Sequence, residues 1–193
     1  MLIPEKYKKY TAIPEDCPKY DKSNPDYRCS VIYDRSNYRI NTVETEAQKN
    51  TVEISVICKL INDFLKEINI VSKCIFIDNL DILMTLNYEH IKRLYGLTNQ
   101  SDIVWLRFTS DGFLGTVGSS NDINFDYSHN SGRIIKGIGK EWNKYRIIII
   151  PIPSITKREE RLLIERMIGN YLLDNNIPIL DRYSHCLGDY SNT

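Results

Sequence analysis

The chain has 193 residues, with 25 Lys plus Arg balanced by 25 Asp plus Glu, 42% apolar and 26% charged side chains. Such a length and composition suit one domain with a hydrophobic core and exclude an intrinsically disordered chain. The formal net charge of zero removes the basic footprint on which non-specific nucleic-acid binding rests, and the longest apolar run, Ile147 to Ile152, is too short to span a bilayer.

Residues 1–40 are punctuated by Pro4, Pro14, Pro18 and Pro25 and studded with tyrosines, which predicts an extended arm laid across the domain. The arm should end in a hairpin, with strands Cys29 to Tyr33 and Tyr38 to Ile40 around a turn at Asp34 to Asn37. Residues 41–193 then read as the domain itself. Ile54, Ile57, Ile61, Leu65 and Ile68 recur at helical spacing, with Asn50 and Glu53 as a capping pair; a start near Asn41 and Glu44 would lengthen that helix. Cys74 to Ile77 is a short buried strand. Asp78 and Asp81 open a second helix that runs through Leu83, Leu86, Ile91 and Leu94 and stops at Gly96.

Asp102 to Thr109, the turn Asp111-Gly112 and Phe113 to Val117 make a β-hairpin. Gly118 to Gly132 is a polar loop, and a short helix follows over Arg133 to Ile138. Tyr145 to Ile152 shows no polar alternation from Ile147 to Ile150, the pattern of a central strand buried on both faces. Thr156 with Glu159 forms a capping box before a helix whose stripe is Leu163, Ile164, Met167, Ile168, Tyr171 and Leu172. Ile177 to Leu180 is a short final strand. The architecture implied is α+β (mixed α/β): a single domain with a central mixed sheet flanked by three main helices and an N-terminal extended arm.

Cys17, Cys29, Cys58, Cys74 and Cys186 are odd in number and hold no Cys-x-x-Cys pair, so zinc-knuckle and thioredoxin-type motifs are not indicated. Cys58 and Cys74 fall in apolar segments, where free cysteine acts as a small hydrophobe. Reduced thiols in a cytoplasmic compartment are the expectation, and the N-terminus carries no secretory pattern of a basic start and an apolar stretch. The richness in Ile, Asn, Lys and Tyr suggests an AT-rich genome, such as that of a bacterium, phage or large virus.

Chemistry is best sought around two histidines. Asp126-Tyr127-Ser128-His129 returns, one residue looser, as Asp181-Arg182-Tyr183-Ser184-His185, and Gly132 and Gly188 each stand three residues after a histidine. Histidine serves proton transfer and metal ligation near neutral pH, and an upstream carboxylate orients it. Asp126, Asp181, His129 and His185 would make a mixed nitrogen and oxygen site suited to zinc, manganese or iron rather than calcium. His129-Asn130-Ser131 has the His-x-Ser form of the 2H phosphoesterases, but His185-Cys186-Leu187 supplies no second copy, so that family is set aside. Ser119, Asn121 and Asp122 in the polar loop are candidate substrate-binding residues. Arg133 is suited to a phosphate or a developing anion. Glu165, at the margin of the last helix's apolar stripe, is either a metal ligand or one charge of a solvated face between Arg161 and Arg166. His90, on the second helix, is read as a partly buried residue bonded to backbone.

The order from Val104 to Asp181 resembles the GIY-YIG nuclease fold: hairpin, loop with Arg133, strand, helix with Glu165, then Asn-Ile-Pro-Ile-Leu-Asp. Val104-Trp105-Leu106 and Phe113-Leu114-Gly115 stand where that family has its two signature strands, with Trp105 and Phe113 in place of both tyrosines. The resemblance implies that Arg133 and Glu165 match the family's arginine and metal-binding glutamate, with Asp181 replacing an asparagine. A metal-assisted phosphodiester hydrolase, nuclease-like in kind, is the first functional expectation. Its catalytic residues are His129, Arg133 and His185, and its divalent-metal ligands Glu165 and Asp181. The alternatives are a ligand- or nucleotide-binding protein without turnover, and a protein-interaction module such as a phage or host-defence inhibitor or immunity protein, with the tyrosine-rich arm as its interface.

Overall fold

The computed structural model describes residues 2–15, 47, 49–78, 88–98, 102–121 and 130–186. In chain order these form a 3-10 helix Glu5–Thr11, α1 (Ile54–Glu67), β1 (Ile75–Ile77), α2 (Tyr88–Leu94), β2 (Ile103–Thr109), β3 (Leu114–Ser120), α3 (Asn130–Gly137), β4 (Trp142–Pro151), α4 (Arg158–Asp174) and a 3-10 turn Ser184–Cys186. The hairpin expected at 29–40, the early helix start at 41–44, the helix opening at Asp81 and the loop segment 122–129 lie outside the described residues.

The strands pair in the order β1-β4-β2-β3. Among the described strands every neighbouring pair is antiparallel, so the α+β class holds and the described sheet is antiparallel rather than mixed. The reason lies in where α3 returns the chain. β3 and β4 flank β2, and each runs antiparallel to it. The β3-α3-β4 connection is therefore a crossover between strands that run the same way but do not touch.

β4 is the central strand that its isoleucines predict. Side chains alternate across a strand, and Ile148 and Ile150 enter the main core while Ile147 and Ile149 enter a second cluster on the opposite face. On the first face they join Val104, Leu106 and Phe108 of β2, Ile57, Ile61, Phe64 and Leu65 of α1, and Ile164, Met167, Ile168 and Leu172 of α4. On the second they join Ile103, Ile77 and Leu97, which follows α2. Each fully buried isoleucine contributes about 1.5–3 kcal/mol of apolar transfer free energy. Two helices thus cover one face of the sheet and fix α4 against β2 and β3.

Both main helices form where their apolar stripes predict, but neither uses the expected cap. Glu53 and Lys157 occupy the N-cap positions, and neither side chain makes a capping hydrogen bond. Burial of the stripe supplies the stability here, with Glu159 and Glu160 set favourably in the first turn of α4. Asp78 lies just past β1, and its Oδ1 accepts from Arg146 Nε at 2.8 Å; the residues that would follow it into a helix lie outside the described residues. α2 ends as expected, at Gly96 with φ of +69°.

β3 runs three residues further than expected, through Ser120, so Gly118 and Ser119 belong to the sheet rather than to a loop. α3 begins at Asn130, ahead of Arg133. Phe108 pairs with Leu114 and Arg107 with Thr116, which makes Gly115 the extra residue of a β-bulge. The final strand is not formed. Ile177 to Leu180 is irregular, because Pro178 lacks an N–H and only Leu180 and Asp181 donate to the edge of β3, at Leu114 and Gly115.

The arm begins as a helical turn rather than extended chain. No proline falls between Pro4 and Pro14, and in a 3-10 helix residues three apart share a face. Tyr7 and Tyr10 accordingly pack together on Phe64 of α1 and Tyr171 of α4. Tyr10 is part of the domain's own core and Tyr7 packs against it. No described helix is long and apolar enough to cross a membrane.

Candidate functional site

α4 carries a row of polar residues beside its apolar stripe, and the fold turns that row inward. Glu165 is 4% exposed, which rules out the solvated face. Ser119 Oγ, on β3, donates to Glu165 Oε2 at 2.5 Å. Burial raises the Glu165 carboxyl to about 8, opposed by the Ser119 hydrogen bond and by the charges of Arg166, Arg161 and Arg158. At neutral pH this carboxyl is therefore mainly protonated. One turn earlier, Arg161 Nη1 donates to Asp102 Oδ1 in a buried ion pair at the start of β2.

His185 reaches α4 one turn further along. Its ring lies against Gly169, where any Cβ would overlap it, and it is 2% exposed. His185 Nε2 lies 3.0 Å from Asn170 Oδ1. Asn170 Nδ2 donates to the carbonyls of Tyr10 and Ala12, both at 2.9 Å. Carbonyls only accept, so the amide has one orientation, and Nε2 of His185 must carry the proton. Ser184 Oγ accepts from the Val117 N–H at 3.2 Å, so the histidine's turn is held on the strand that carries Ser119. Glu165 and Ser119 are thus in direct contact, and His185 stands against the following turn of α4.

The rest of the expected site divides. Asp181 is 1% exposed, with its N–H bound to the Gly115 carbonyl at 2.8 Å. Asn121 is exposed just past β3, unlike the half-buried Ser119. Arg133 lies in α3, with its side chain outside the description; Asp122, Asp126 and His129 lie outside the described residues. His90 is exposed rather than partly buried as expected. Among the described residues, no three of His, Cys, Asp and Glu gather to hold a metal ion.

The hairpin register also moves one part of the resemblance. Trp105 pairs with Gly118, and its ring covers that glycine. The segment across from Val104-Trp105-Leu106 is therefore Val117-Gly118-Ser119, while Phe113 precedes β3. Because Gly118 and Ser119 point to opposite faces, Trp105 and Glu165 lie on opposite sides of the sheet. Arg107 shares the Trp105 face, 2% exposed, with its guanidinium 4.9 Å from the Trp105 ring centroid. Its signal in the sequence is one charge inside an otherwise apolar strand.

Sequence reading missed a cleft of about 510 Å³. Asn50, Thr51, Asn176 and Arg182 give it polar groups, and Val52, Leu173 and Ile179 give it apolar walls. Residues 50–52 lead into the N-terminus of α1, whose first turn has no side-chain cap. The Arg182 guanidinium stands 5.3 Å from the Tyr183 ring centroid. Among the cleft's described lining residues Arg182 is the cation. No family model, curated protein or solved structure matches the chain.

Proposed function

We propose that the chain is a ligand-binding α+β protein whose cleft takes a small phosphate-bearing molecule of nucleotide size. The observation that carries this reading is the cleft itself, with Arg182 on its wall beside the uncapped start of α1. A guanidinium supplies paired donors to a phosphate, and the uncapped first turn of a 14-residue helix adds positive potential. The apolar wall of Val52, Leu173 and Ile179 accepts the uncharged part of the ligand.

The second reading is metal-assisted phosphodiester hydrolysis, favoured by the order β2, β3, α3, β4, α4 with Glu165 on the last helix. It requires Glu165 to ionise and to exchange its Ser119 hydrogen bond for a metal. A protonated, enclosed carboxyl supports binding without turnover more than it supports this chemistry.

Calorimetric titration with a nucleoside monophosphate, alongside cleavage of a chromogenic phosphodiester in manganese, separates the two. The binding reading expects saturable binding that weakens at least tenfold in Arg182→Ala and is unchanged in Glu165→Gln, with no turnover. No saturable binding, or binding indifferent to Arg182→Ala, overturns it. Manganese-dependent cleavage lost in Glu165→Gln establishes the hydrolase instead.

A further inference from the structure

Two half-buried cysteines meet where α1 hands the chain to β1. Cys58 and Asn62 stand one turn apart on α1, and so on one side of it. Asn62 Oδ1 accepts from the backbone N–H of Cys74 at 2.8 Å. The chain leaving α1 therefore folds back over that side before β1, which lays Cys74 across Cys58. Cys58 and Cys74 each shift the other's titration, as neighbouring thiols do. Both backbones are anchored: Ile57 and Ile61 sit in the main core beside Cys58, and Ile75, next to Cys74, pairs with Ile149.

We propose that Cys58 and Cys74 are a redox pair that closes into an intramolecular disulfide when it meets a small-molecule disulfide such as oxidised glutathione. Thiolate character decides which sulfur attacks first. The neighbouring Cys74 thiol holds the Cys58 thiol below the ordinary thiol range against the opposing effect of burial, and the Cys58 neighbour together with burial pushes the Cys74 thiol up. Cys58 thiolate attacks one sulfur of oxidised glutathione, forming a mixed disulfide and expelling one glutathione thiolate. Cys74 gives its proton to an expelled thiolate and attacks the Cys58 sulfur, which releases the second glutathione. Two protein thiols are oxidised and one glutathione disulfide is reduced to two thiols, with nothing else consumed.

The test treats the whole chain with oxidised glutathione, quenches with acid, and reads intact mass and a non-reducing peptide map. The expected product has lost two hydrogens, carries no glutathione on this pair, and joins the peptides that contain Cys58 and Cys74. In Cys74→Ser the reaction should stop at a glutathione adduct on Cys58. In Asn62→Ala, which keeps both thiols but frees the Cys74 backbone, closure should slow at least severalfold. Wild-type protein that keeps stable adducts on Cys58 or Cys74, or leaves their peptides unlinked, overturns the proposal without reference to any variant.

Discussion

Gly169 sits inside a 17-residue helix, where glycine costs roughly 1 kcal/mol relative to alanine. Replacing it with alanine would ordinarily stabilise the protein. Here the added methyl overlaps the His185 ring, so Gly169→Ala is expected to destabilise by about 1–3 kcal/mol, the usual cost of overpacking. Chemical denaturation measures this, and Gly169→Ala with His185→Ala should recover part of the loss. A single variant more stable than wild type would remove the contact. Glu165 makes a pH prediction. Its carboxyl titrates near 4.5 when unfolded and about 8 when folded, so the folded state holds a proton that the unfolded state has released between those values. The stability it contributes is complete below pH 4.5 and falls as pH rises toward 8, by a total on the order of 5 kcal/mol. Glu165→Gln should abolish that decline in denaturation curves taken between pH 5 and 8. Parallel slopes for variant and wild type would place the carboxyl in water.

Ile148 is fully buried in β4, between α1 and α4 on one side and the backbones of β1 and β2 on either edge. Ile148→Ala should cost about 2–5 kcal/mol, as truncation of a large core side chain does; a loss under about 1 kcal/mol would mean the strand is not central. This element was readable because Ile147 to Ile150 leave no polar alternation, and α1 and α4 were readable from their stripes. The caps were not, since Asn50 and Thr156 fit a local pattern that burial of the stripe overrides. Nor was the end of β3: Gly118, Ser119 and Ser120 look like loop residues, and become strand because Trp105 covers Gly118 and Glu165 takes the Ser119 hydroxyl. The same limit applies to the site. Glu165, Ser119 and His185 could be chosen as residue types, but the protonated state of Glu165 comes from enclosure by β3 and α4. The cleft joins Ala47 and residues 50–52 to Leu173, residues 176–179 and Arg182, and no local pattern announces a meeting between segments so far apart.

Across the molecule, Asn170 ties the first described segment to the last. Its amide donates to the carbonyls of Tyr10 and Ala12 and its oxygen accepts from His185, while Tyr10 Oη and Lys9 Nζ both donate to Asp174. Asn170→Ala leaves two carbonyls and a buried ring without their partner. It should cost about 1–3 kcal/mol and speed amide exchange across Tyr7 to Ala12 relative to β4; unchanged exchange there would mean that aromatic packing alone holds the segment. The placement of the ligand site is a claim at this same scale, since the cleft lies at the N-terminus of α1 and beyond the C-terminus of α4, away from the enclosed carboxyl. Amide chemical shifts of isotope-labelled protein, followed while inorganic phosphate is added, locate the site directly. Saturable shifts centred on Asn50 to Glu53, Asn176 to Ile179 and Arg182 are the expected result. Shifts centred on Ser119, Glu165 and His185 instead, or none that saturate, would contradict the account.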